Sequence, residues 1–350
     1  TSLREAEEII GSGKADIVVM AKAYMADEKL IHKSIRGMEQ RVRPCTRCDW
    51  CGNANNYGTS MRCAINPMLG KNMDLRDLVR PGEEKHVMVI GGGPGGMMAA
   101  QTLRSMGHRV SLYEKSGALG GLLKDATVAP FKEYMRLYLQ WDIQETLDCG
   151  AEIHLHTEVT PELVREVAPD AVIVATGSTY VHPNIPGIDG DKVKAVSDVE
   201  NHRVPVGQRV VVCGGGIVGL ECAVMLGMEG RQVTVVDQIP LEEFAQGMPV
   251  FNHIELNHQL EQHGVRLVGG QRIQAFDPDG VQTVDAQGNQ TVFPGDTYVL
   301  ALGVKPDNKL AQTLLGQYAQ GVYVVGDCVS TGRVLADANQ EAFHAAISIR

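Results

Sequence analysis

The sequence predicts an α/β fold that contains two parallel β-sheets, each flanked by helices. Two segments, 86–100 and 209–221, each read as a buried strand that runs through a glycine-rich turn into a helix. A further strand follows each helix, over 109–114 and 232–237, and each of these strands ends on an acidic residue. That order is typical of the βαβ unit of doubly wound folds. The chain therefore repeats one unit and is expected to form two Rossmann-like domains.

The first unit carries the spacing G-x-G-x-x-G at Gly91, Gly93 and Gly96. The first glycine of such a motif makes a tight turn, the second lets the backbone approach a pyrophosphate, and the third lets the helix pack on the strand. The helix N-terminus then offers free amide donors to the phosphates. Glu114, at the end of the next strand, is placed to bind ribose hydroxyls. These residues predict a dinucleotide site.

The second unit repeats the spacing at Gly214, Gly216 and Gly219, and its acid is Asp237. A carboxylate at this position pairs with free ribose hydroxyls and repels a 2′-phosphate, which would favour an arginine. The second site is therefore predicted to bind NADH rather than NADPH. Arg231 lies near Asp237 in sequence and could offset that preference by turning towards the site.

Four of the eight cysteines lie close together, at Cys45, Cys48, Cys51 and Cys63. Four thiolates with this spacing fit either a [4Fe–4S] cluster or a tetrahedral zinc ion. Zinc usually takes two separated C-x-x-C pairs, so a compact triplet with one remote cysteine favours the iron–sulfur cluster. A structural disulfide is less favoured, because a cytoplasmic protein is kept reduced. The other cysteines are isolated and are predicted to be core residues.

Composition excludes several classes of partner. The 350 residues carry a net charge of −10 without basic blocks, which argues against a nucleic-acid partner. The apolar runs have the length of strands, so no membrane span is expected. The N-terminus lacks the basic and then apolar pattern of a secretory signal, and we expect a cytoplasmic location. A homo-oligomer is left open.

Three further segments carry a resemblance to flavoprotein pyridine-nucleotide reductases, which have the glutathione-reductase-like fold. They are 117–121 after the first acidic strand, Ala-Thr-Gly at 175–177, and the strand and Gly-Asp turn at 321–327. The resemblance implies FAD at the first glycine motif and an NAD(P)H domain inserted into the FAD domain. The additional residues that it assigns to the FAD site are Gly121, Ala175, Gly177, Gly326 and Asp327.

The cysteine group narrows the resemblance, because it stands upstream of the reductase pattern and is followed by Ala-Ile-Asn-Pro at 64–67. This arrangement is similar to the family of 2,4-dienoyl-CoA reductase, 2-enoate reductase and trimethylamine dehydrogenase. Members join an FMN-bearing (β/α)₈ barrel to a [4Fe–4S] cluster and two nucleotide domains. Residues 1–40 resemble the end of that barrel, with its last strand at 15–20 and the following helix at 26–30. The rest of the barrel is not in the sequence, which predicts a fragment or a separate subunit.

Met20-Ala21-Lys22-Ala23 aligns with the Gly-Arg loop by which members of that family grip the FMN phosphate. Alanine and lysine replace the glycine and arginine here, so close backbone approach and a bidentate contact are both lost. Lys22 is the candidate phosphate ligand that remains.

The resemblance implies four parts: a barrel end at 1–40, a cluster loop at 41–80, an FAD domain at 81–205 and 309–350, and an NADH domain at 206–308. Electrons would pass between NADH, FAD and the cluster, and to or from an FMN barrel that belongs to another domain or subunit. Reduction of an enoate or enoyl C=C bond is the expected chemistry. No catalytic residue is assigned, because in the family the substrate meets the barrel.

Two alternatives differ in chemistry. Disulfide reductases share the two nucleotide domains, but they need a cysteine pair beside the flavin, and residues 122–127 contain no cysteine. In the second alternative the protein is an amine dehydrogenase in which the first site holds ADP and is structural. The colour of the protein distinguishes the two occupants, because FAD is yellow and ADP is colourless.

Overall fold

The computed structural model describes residues 2–56, 61–71, 83–317 and 321–350. The chain divides into two compact units. The first unit comprises Thr1–Lys124, Tyr134–Thr179 and Lys305–Arg350, and the second comprises Asp125–Glu133 and Tyr180–Val304.

The elements are numbered in chain order. The described helices are α1 Leu3–Gly11, α2 Ala21–Ala26, α3 Leu30–Ser34, α4 Trp50–Asn56, α5 Pro94–Ser105, α6 Leu123–Ala126, α7 Glu133–Asp148, α8 Pro161–Val167, α9 Val196–Glu200, α10 Ile217–Met228, α11 Val250–Gln262, α12 Lys309–Gln317 and α13 Leu335–Ser348. The described strands are β1 His86–Ile90, β2 Arg109–Tyr113, β3 Glu152–His154, β4 Ala171–Val174, β5 Ser178–Tyr180, β6 Val193–Ala195, β7 Arg209–Cys213, β8 Gln232–Val236, β9 Arg266–Val268, β10 Arg272–Asp277, β11 Gly280–Val284, β12 Gln290–Phe293, β13 Thr297–Leu300, β14 Val304–Pro306 and β15 Val322–Val324.

The first unit contains a five-stranded sheet in the order β15-β4-β1-β2-β3. All of its strand pairs are parallel, and Val87 of β1 faces Val110 of β2 and Ala171 of β4. Residues 87–89 of the central strand are fully buried, as expected for a parallel sheet that is covered on both faces. Helices α5 and α13 pack against each other beside this sheet.

The second unit repeats this arrangement. Its parallel sheet has the order β6-β13-β7-β8-β9, and a three-stranded antiparallel sheet, β10-β11-β12, accompanies it. In each parallel sheet the strand that precedes the glycine motif is central, and the acid-ended strand lies beside it. The predicted fold class, with two Rossmann-like sheets, is confirmed.

The units divide the chain at other positions than the predicted domains do. The sequence places 180–205 in the first nucleotide domain, yet β6 pairs with β13 and completes the second sheet. Asp125–Glu133 also belongs to the second unit. Both assignments depend on pairing between residues that are far apart in sequence, and local patterns carry no information on such pairing.

Residues 15–20, predicted as a barrel strand, form no strand in the structure. The side chains of Ile17 and Val19 are 79% and 83% exposed, whereas Met20 is buried. This alternation is that of a strand with one covered face. A strand also needs a neighbour to complete its ladder, and no described residue pairs with this segment.

The helix predicted over 26–30 is shifted, because α2 ends at Ala26 and α3 begins at Leu30. The carboxylate of Asp27 accepts hydrogen bonds from the amides of Lys29, at 3.0 Å, and Arg43, at 2.9 Å. An aspartate that bonds to nearby amides favours a turn over a continuing helix.

No helix in the described parts of the chain combines the length and apolar character needed to cross a membrane. Part of the cluster loop predicted at 41–80 lies outside the described residues.

Candidate functional site

The first glycine motif forms a turn that excludes side chains. Gly91 has φ +107, and a Cβ atom there would overlap the carbonyl oxygen of Ala175. A Cβ atom on Gly96 would overlap the carbonyl oxygen of Gly91. The motif therefore packs β1 and α5 at backbone distance, as its spacing predicts. It also places Ala175, at the end of β4, directly against the turn.

The acid of the first unit holds this turn in place. Glu114 Oε2 accepts a hydrogen bond from the amide of Gly92 at 2.7 Å, and Oε1 accepts one from the amide of Ser116 at 2.7 Å. Glu114 is 8% exposed. Each carboxylate oxygen has a further lone pair, so these bonds are compatible with the predicted contact to a ribose.

Gly93 stands at the N-cap of α5 with φ −76, and it faces Gly121. A Cβ atom on Gly93 would lie 3.8 Å from the Cα atom of Gly121. Gly121 itself has φ +54, a left-handed conformation that favours glycine. The two glycines leave a narrow space at the helix N-terminus, where unpaired amides can bind a pyrophosphate. The residues present therefore fit a dinucleotide.

The Gly-Asp turn lies at the same edge of the sheet, because β15, β4 and β1 are adjacent and parallel. The amide of Gly326 donates to Glu341 Oε2 at 2.8 Å, and Asp327 Oδ2 accepts from Ser178 Oγ at 3.2 Å. Burial raises the pKa of Asp327. Gly177, with φ +71, has no atom within 4 Å of a Cβ position. The structure thus gathers the segments that the resemblance assigns to one cofactor, although the role of each residue stays a prediction.

The second unit builds the same turn. A Cβ atom on Gly214 would overlap the carbonyl oxygen of Ala301, and one on Gly219 would overlap that of Gly214. Asp237 Oδ2 accepts from the amide of Gly215 at 2.6 Å, as Glu114 does from Gly92 in the first unit. The two nucleotide sites therefore share one backbone design.

The two sites differ in exposure. Gly216 is exposed, and a Cβ atom on it would have no neighbour within 4 Å, whereas its counterpart Gly93 faces Gly121. Asp237 is half-buried and Glu114 is buried. The first turn and its acid are thus more covered than those of the second unit.

Arg231 does not reach the second acid. Its guanidinium donates to the carbonyl oxygens of Val206 and Gly207, the latter at 2.7 Å, and to Glu229 Oε2 at 3.1 Å. Arg231 precedes β8 and Asp237 follows it. At about 3.3 Å per residue, the length of the strand separates the two by roughly 20 Å. The predicted offset by Arg231 is therefore ruled out in this structure.

Sequence reasoning missed an ionic cluster on α10. Lys132 pairs with Glu221, one turn after the second glycine motif. Glu200 is 6% exposed, and burial together with repulsion from Glu221 raises its pKa to about 8, against the attraction of Lys132. The three residues come from separate segments, so no local pattern could have predicted their meeting.

The four grouped cysteines are free thiols that lie in one region of the first unit. Cys63 is buried in the same core against which Cys45 and Cys48 pack. Burial raises the pKa of Cys63 to about 11, while hydrogen bonds from the amides of Ile65 and Asn66 oppose that rise. Amide donors to sulfur are a feature of iron–sulfur sites.

The described thiols are not arranged as a set of metal ligands. Within the described ranges, no three His, Cys, Asp or Glu side chains are arranged so that they could hold a metal ion. Burial raises the pKa of Cys51, and repulsion from Cys48 and Cys45 adds to that rise, so the thiols are close enough to interact. The donor set suits a cluster, but the assignment of the four cysteines as its ligands stays a prediction.

Lys22 points to the cysteine loop. Its ammonium donates to Asp49 Oδ1 at 2.6 Å, and this bond raises the pKa of Lys22. Asp49 stands between Cys48 and Cys51. A cavity of ≈ 750 Å³ opens beside the pair, with Lys22, Arg43 and Arg47 in its lining. Lys22 is thus paired with a carboxylate in this structure, and its contact with an FMN phosphate stays a prediction.

Known proteins match nearly the whole chain. The family model of pyridine nucleotide-disulphide oxidoreductases matches residues 85–346. NADH oxidase of Thermoanaerobacter brockii is 32% identical over 351 residues, which cover 98% of this chain and 53% of that protein. Bilirubin reductase of Mediterraneibacter gnavus is 34% identical over 345 residues, or 97% and 53% of the two chains.

A solved structure of 2-naphthoyl-CoA reductase in complex with 2-naphthoyl-CoA superposes with a TM-score of 0.90 at 28% identity. The match covers 99% of this chain and 52% of that one. The chain thus spans about half the length of the curated relatives it matches. The cysteine region is included in these matches, and the resemblance stated from the sequence is confirmed. This chain belongs to the pyridine nucleotide-disulphide oxidoreductase family, and it corresponds to the portion with that domain in the 2-enoate reductase and trimethylamine dehydrogenase-like flavoproteins.

Proposed function

We propose that this chain is the electron-transfer portion of an iron–sulfur flavoprotein, in which NADH supplies electrons to a tightly held FAD and a [4Fe–4S] cluster receives them. The observation that carries the proposal is the repeated glycine turn with its acid, which is more covered in the first unit and more exposed in the second. The more covered site suits a resident cofactor. The more exposed site suits a nucleotide that must leave after each turnover.

When bound, a flavin accepts the electron pair of a hydride and can release the two electrons singly, as an iron–sulfur cluster requires. The chain's own residues bind and orient the nucleotides. The amides at the N-termini of α5 and α10 are placed for the two pyrophosphates, and Glu114 and Asp237 are placed for the riboses. Glu341 holds the Gly326 turn through its amide, which fixes the backbone at the edge of the first site.

The substrate of the whole protein is proposed from its relatives. Two of them are named for the reduction of bilirubin and of 2-naphthoyl-CoA. We therefore infer that the electrons serve the reduction of an unsaturated organic substrate, of enoate or enoyl type, at an FMN barrel of another domain or subunit. Purified chain should be yellow with about one FAD per chain. ADP in place of FAD would support the structural alternative for the first site and would overturn this proposal.

Asp237 should make the second site selective for NADH. Asp237 is half-buried, so water partly screens a like-charge contact with the 2′-phosphate of NADPH, and NADPH should bleach the bound flavin at least about tenfold more slowly. Asp237→Asn removes the charge but keeps the shape and one acceptor for the amide of Gly215. Its NADPH rate should rise towards its NADH rate. Stopped-flow absorbance with each nucleotide measures both rates.

Flavin content provides the control, because the FAD is assigned to the other unit and should be unchanged in Asp237→Asn. Equal rates with the two nucleotides in the unmodified protein, or a preference for NADPH, would contradict the role of Asp237. Since Arg231 lies at the far end of β8, substitution of Arg231 by Ala should leave the nucleotide preference as it is.

The cysteine group should carry iron. Protein prepared anaerobically should contain about four irons per chain, because four thiolates complete the coordination of one [4Fe–4S] cluster. Cys63→Ser should lower or abolish the iron content, while the matched control Cys149→Ser, outside the group, should keep it. Metal analysis and the visible spectrum measure the outcome. Stoichiometric zinc without iron would exclude the cluster.

A further inference from the structure

A short segment lies over the second glycine turn. The ring of Phe244 packs on Gly215, so that a Cβ atom on this glycine would come within 2.7 Å of two ring carbons. The next residue, Ala245, donates its amide to the carbonyl oxygen of Gly215 at 3.0 Å. Phe244 and Ala245 are 4% and 1% exposed. The segment is thus a built part of the turn and not a loose loop.

The first unit has the same pair of contacts. Leu119 packs on Gly92, where a Cβ atom would come within 2.6 Å of its Cδ2, and the amide of Gly120 donates to the carbonyl oxygen of Gly92 at 2.8 Å. In both units an apolar side chain therefore covers the middle residue of the Gly-Gly-Gly run, Gly92 or Gly215. The amide of the residue after that side chain donates to the carbonyl oxygen of the same glycine. The two segments, Leu-Gly-Gly and Phe-Ala-Gln, have no sequence similarity. Only the contacts show their equivalence.

These contacts fix the peptide groups around the middle glycine of the second turn. The amide of Gly215 is held by Asp237, its carbonyl group is held by Ala245, and its Cα is covered by Phe244. The next residue, Gly216, is the N-cap of α10, where the free amides begin. The direction of those amides depends on the peptide group that precedes them. A site whose donors are already oriented loses less entropy when it binds its ligand.

Ala245 has φ +53, whereas its counterpart Gly120 has φ +113. A non-glycine residue in the left-handed region costs about 1 kcal/mol and persists where its surroundings determine its conformation. The hydrogen bond to Gly215 and the burial of Phe244 are the contacts that determine it here.

We propose that Phe244 and Ala245 are positioning residues of the second nucleotide site, which orient the amides at Gly216 for the pyrophosphate of NADH. The identity of the ligand rests on the proposed function. Both residues act through Gly215, which each of them contacts. The segment that contains them carries no recognisable nucleotide motif.

Substitutions at Ala245 form a matched pair. Ala245→Pro removes the amide donor and forbids φ +53, whereas Ala245→Gly keeps the donor and favours this φ. We expect Ala245→Pro to raise the Kd for NAD⁺, which cannot reduce the flavin, by at least about tenfold in isothermal titration. Ala245→Gly should stay within about twofold of the unmodified chain. Flavin content should be unchanged in both.

Substitutions at Phe244 test the side chain. Phe244→Ala uncovers Gly215 and should weaken NAD⁺ binding by about five- to tenfold, whereas Phe244→Leu, the residue that the first unit uses at Leu119, should restore it. A positioning role also predicts that the KM for NADH rises while flavin reduction at saturating NADH stays within about threefold. A loss of fold alone would lower the flavin content and the circular dichroism signal together. If Phe244→Ala and Ala245→Pro do not fold, NAD⁺ affinity can still be measured for Phe244→Leu and Ala245→Gly.

The two proposals fail in different ways. If the unmodified chain binds NAD⁺ and folded Ala245→Pro and Phe244→Ala bind it within twofold of that value, the positioning role is overturned and the proposed function stands. If Phe244→Leu binds as weakly as Phe244→Ala, the equivalence of the two covering segments is overturned. If the unmodified chain binds neither NAD⁺ nor NADH, the proposed function fails, and the positioning role fails with it.

Discussion

Alanine at Gly216 is expected to leave the flavin bound and to abolish its reduction by NADH. The backbone of Gly216 has φ −71, which any residue adopts, and a Cβ atom there would meet no protein atom within 4 Å. The fold should therefore tolerate the methyl group. The same methyl group would occupy the space through which a pyrophosphate approaches the turn, so NAD⁺ affinity should fall by more than about 100-fold. Titration with NAD⁺ and flavin absorbance measure the two effects.

Gly93 is the matched position in the first unit. Its φ is −76, and a Cβ atom would approach only the Cα atom of Gly121, at 3.8 Å. Gly93→Ala should therefore fold but purify without flavin. Gly219→Ala differs from both, because its Cβ atom would overlap the carbonyl oxygen of Gly214, and it should destabilise the second unit itself. Loss of flavin in Gly216→Ala, with loss of the NADH response alone in Gly93→Ala, would reverse the assignment of the two sites.

Asp142→Asn is expected to stabilise the protein at high pH. Asp142 is fully buried on α7, where Oδ1 accepts from Gln101 Nε2 at 2.7 Å, and where Arg43 and the Tyr138 hydroxyl favour its ionised form. Burial raises the pKa of Asp142 from 3.8 to about 6. The folded protein therefore binds a proton that the unfolded chain releases. The contribution of this group to stability is highest below about pH 4 and falls as the pH rises through 6.

The size of the stabilisation expected in Asp142→Asn follows from the pKa shift of Asp142. A difference of about two pKa units corresponds to roughly 3 kcal/mol, which is the penalty for a charged Asp142 at pH 8. Asparagine keeps an acceptor for Gln101 and carries no charge. Urea unfolding should show that Asp142→Asn gains more at pH 8 than at pH 5, by about 1.4 kcal/mol, because the Asp142 carboxyl of the folded protein is still mostly protonated at pH 5. Glu200, whose pKa is raised from 4.5 to about 8, should supply most of the pH dependence that the variant keeps between pH 5 and pH 8.

Asp191→Asn is the matched control, because this carboxylate is exposed. It should change the unfolding free energy at neither pH by more than about 0.5 kcal/mol. A variant of Asp142 with the same slope as the unmodified protein, or one that is less stable at pH 8, would show that the buried carboxylate is compensated in the folded state.

The sequence by itself determined the two glycine turns and the acids that follow them. These features are local, because a left-handed or crowded backbone position admits only glycine within a few residues of chain. Gly91 and Gly214 adopt φ +107 and +129, and each acid accepts from the amide next to its turn. The buried strands were equally readable, since a parallel strand covered on both faces is continuously apolar.

Only the tertiary structure decided which distant segments meet these turns. Arg231 is near Asp237 in sequence, but an extended strand carries the two to opposite ends of the sheet. Phe244 belongs to no recognisable sequence motif, yet its ring packs on Gly215. Lys22 donates a hydrogen bond to Asp49, which lies 27 residues away in sequence. Such contacts depend on pairing and packing over long separations, where the chain's local preferences are silent, and they set which donors a nucleotide will find already in place.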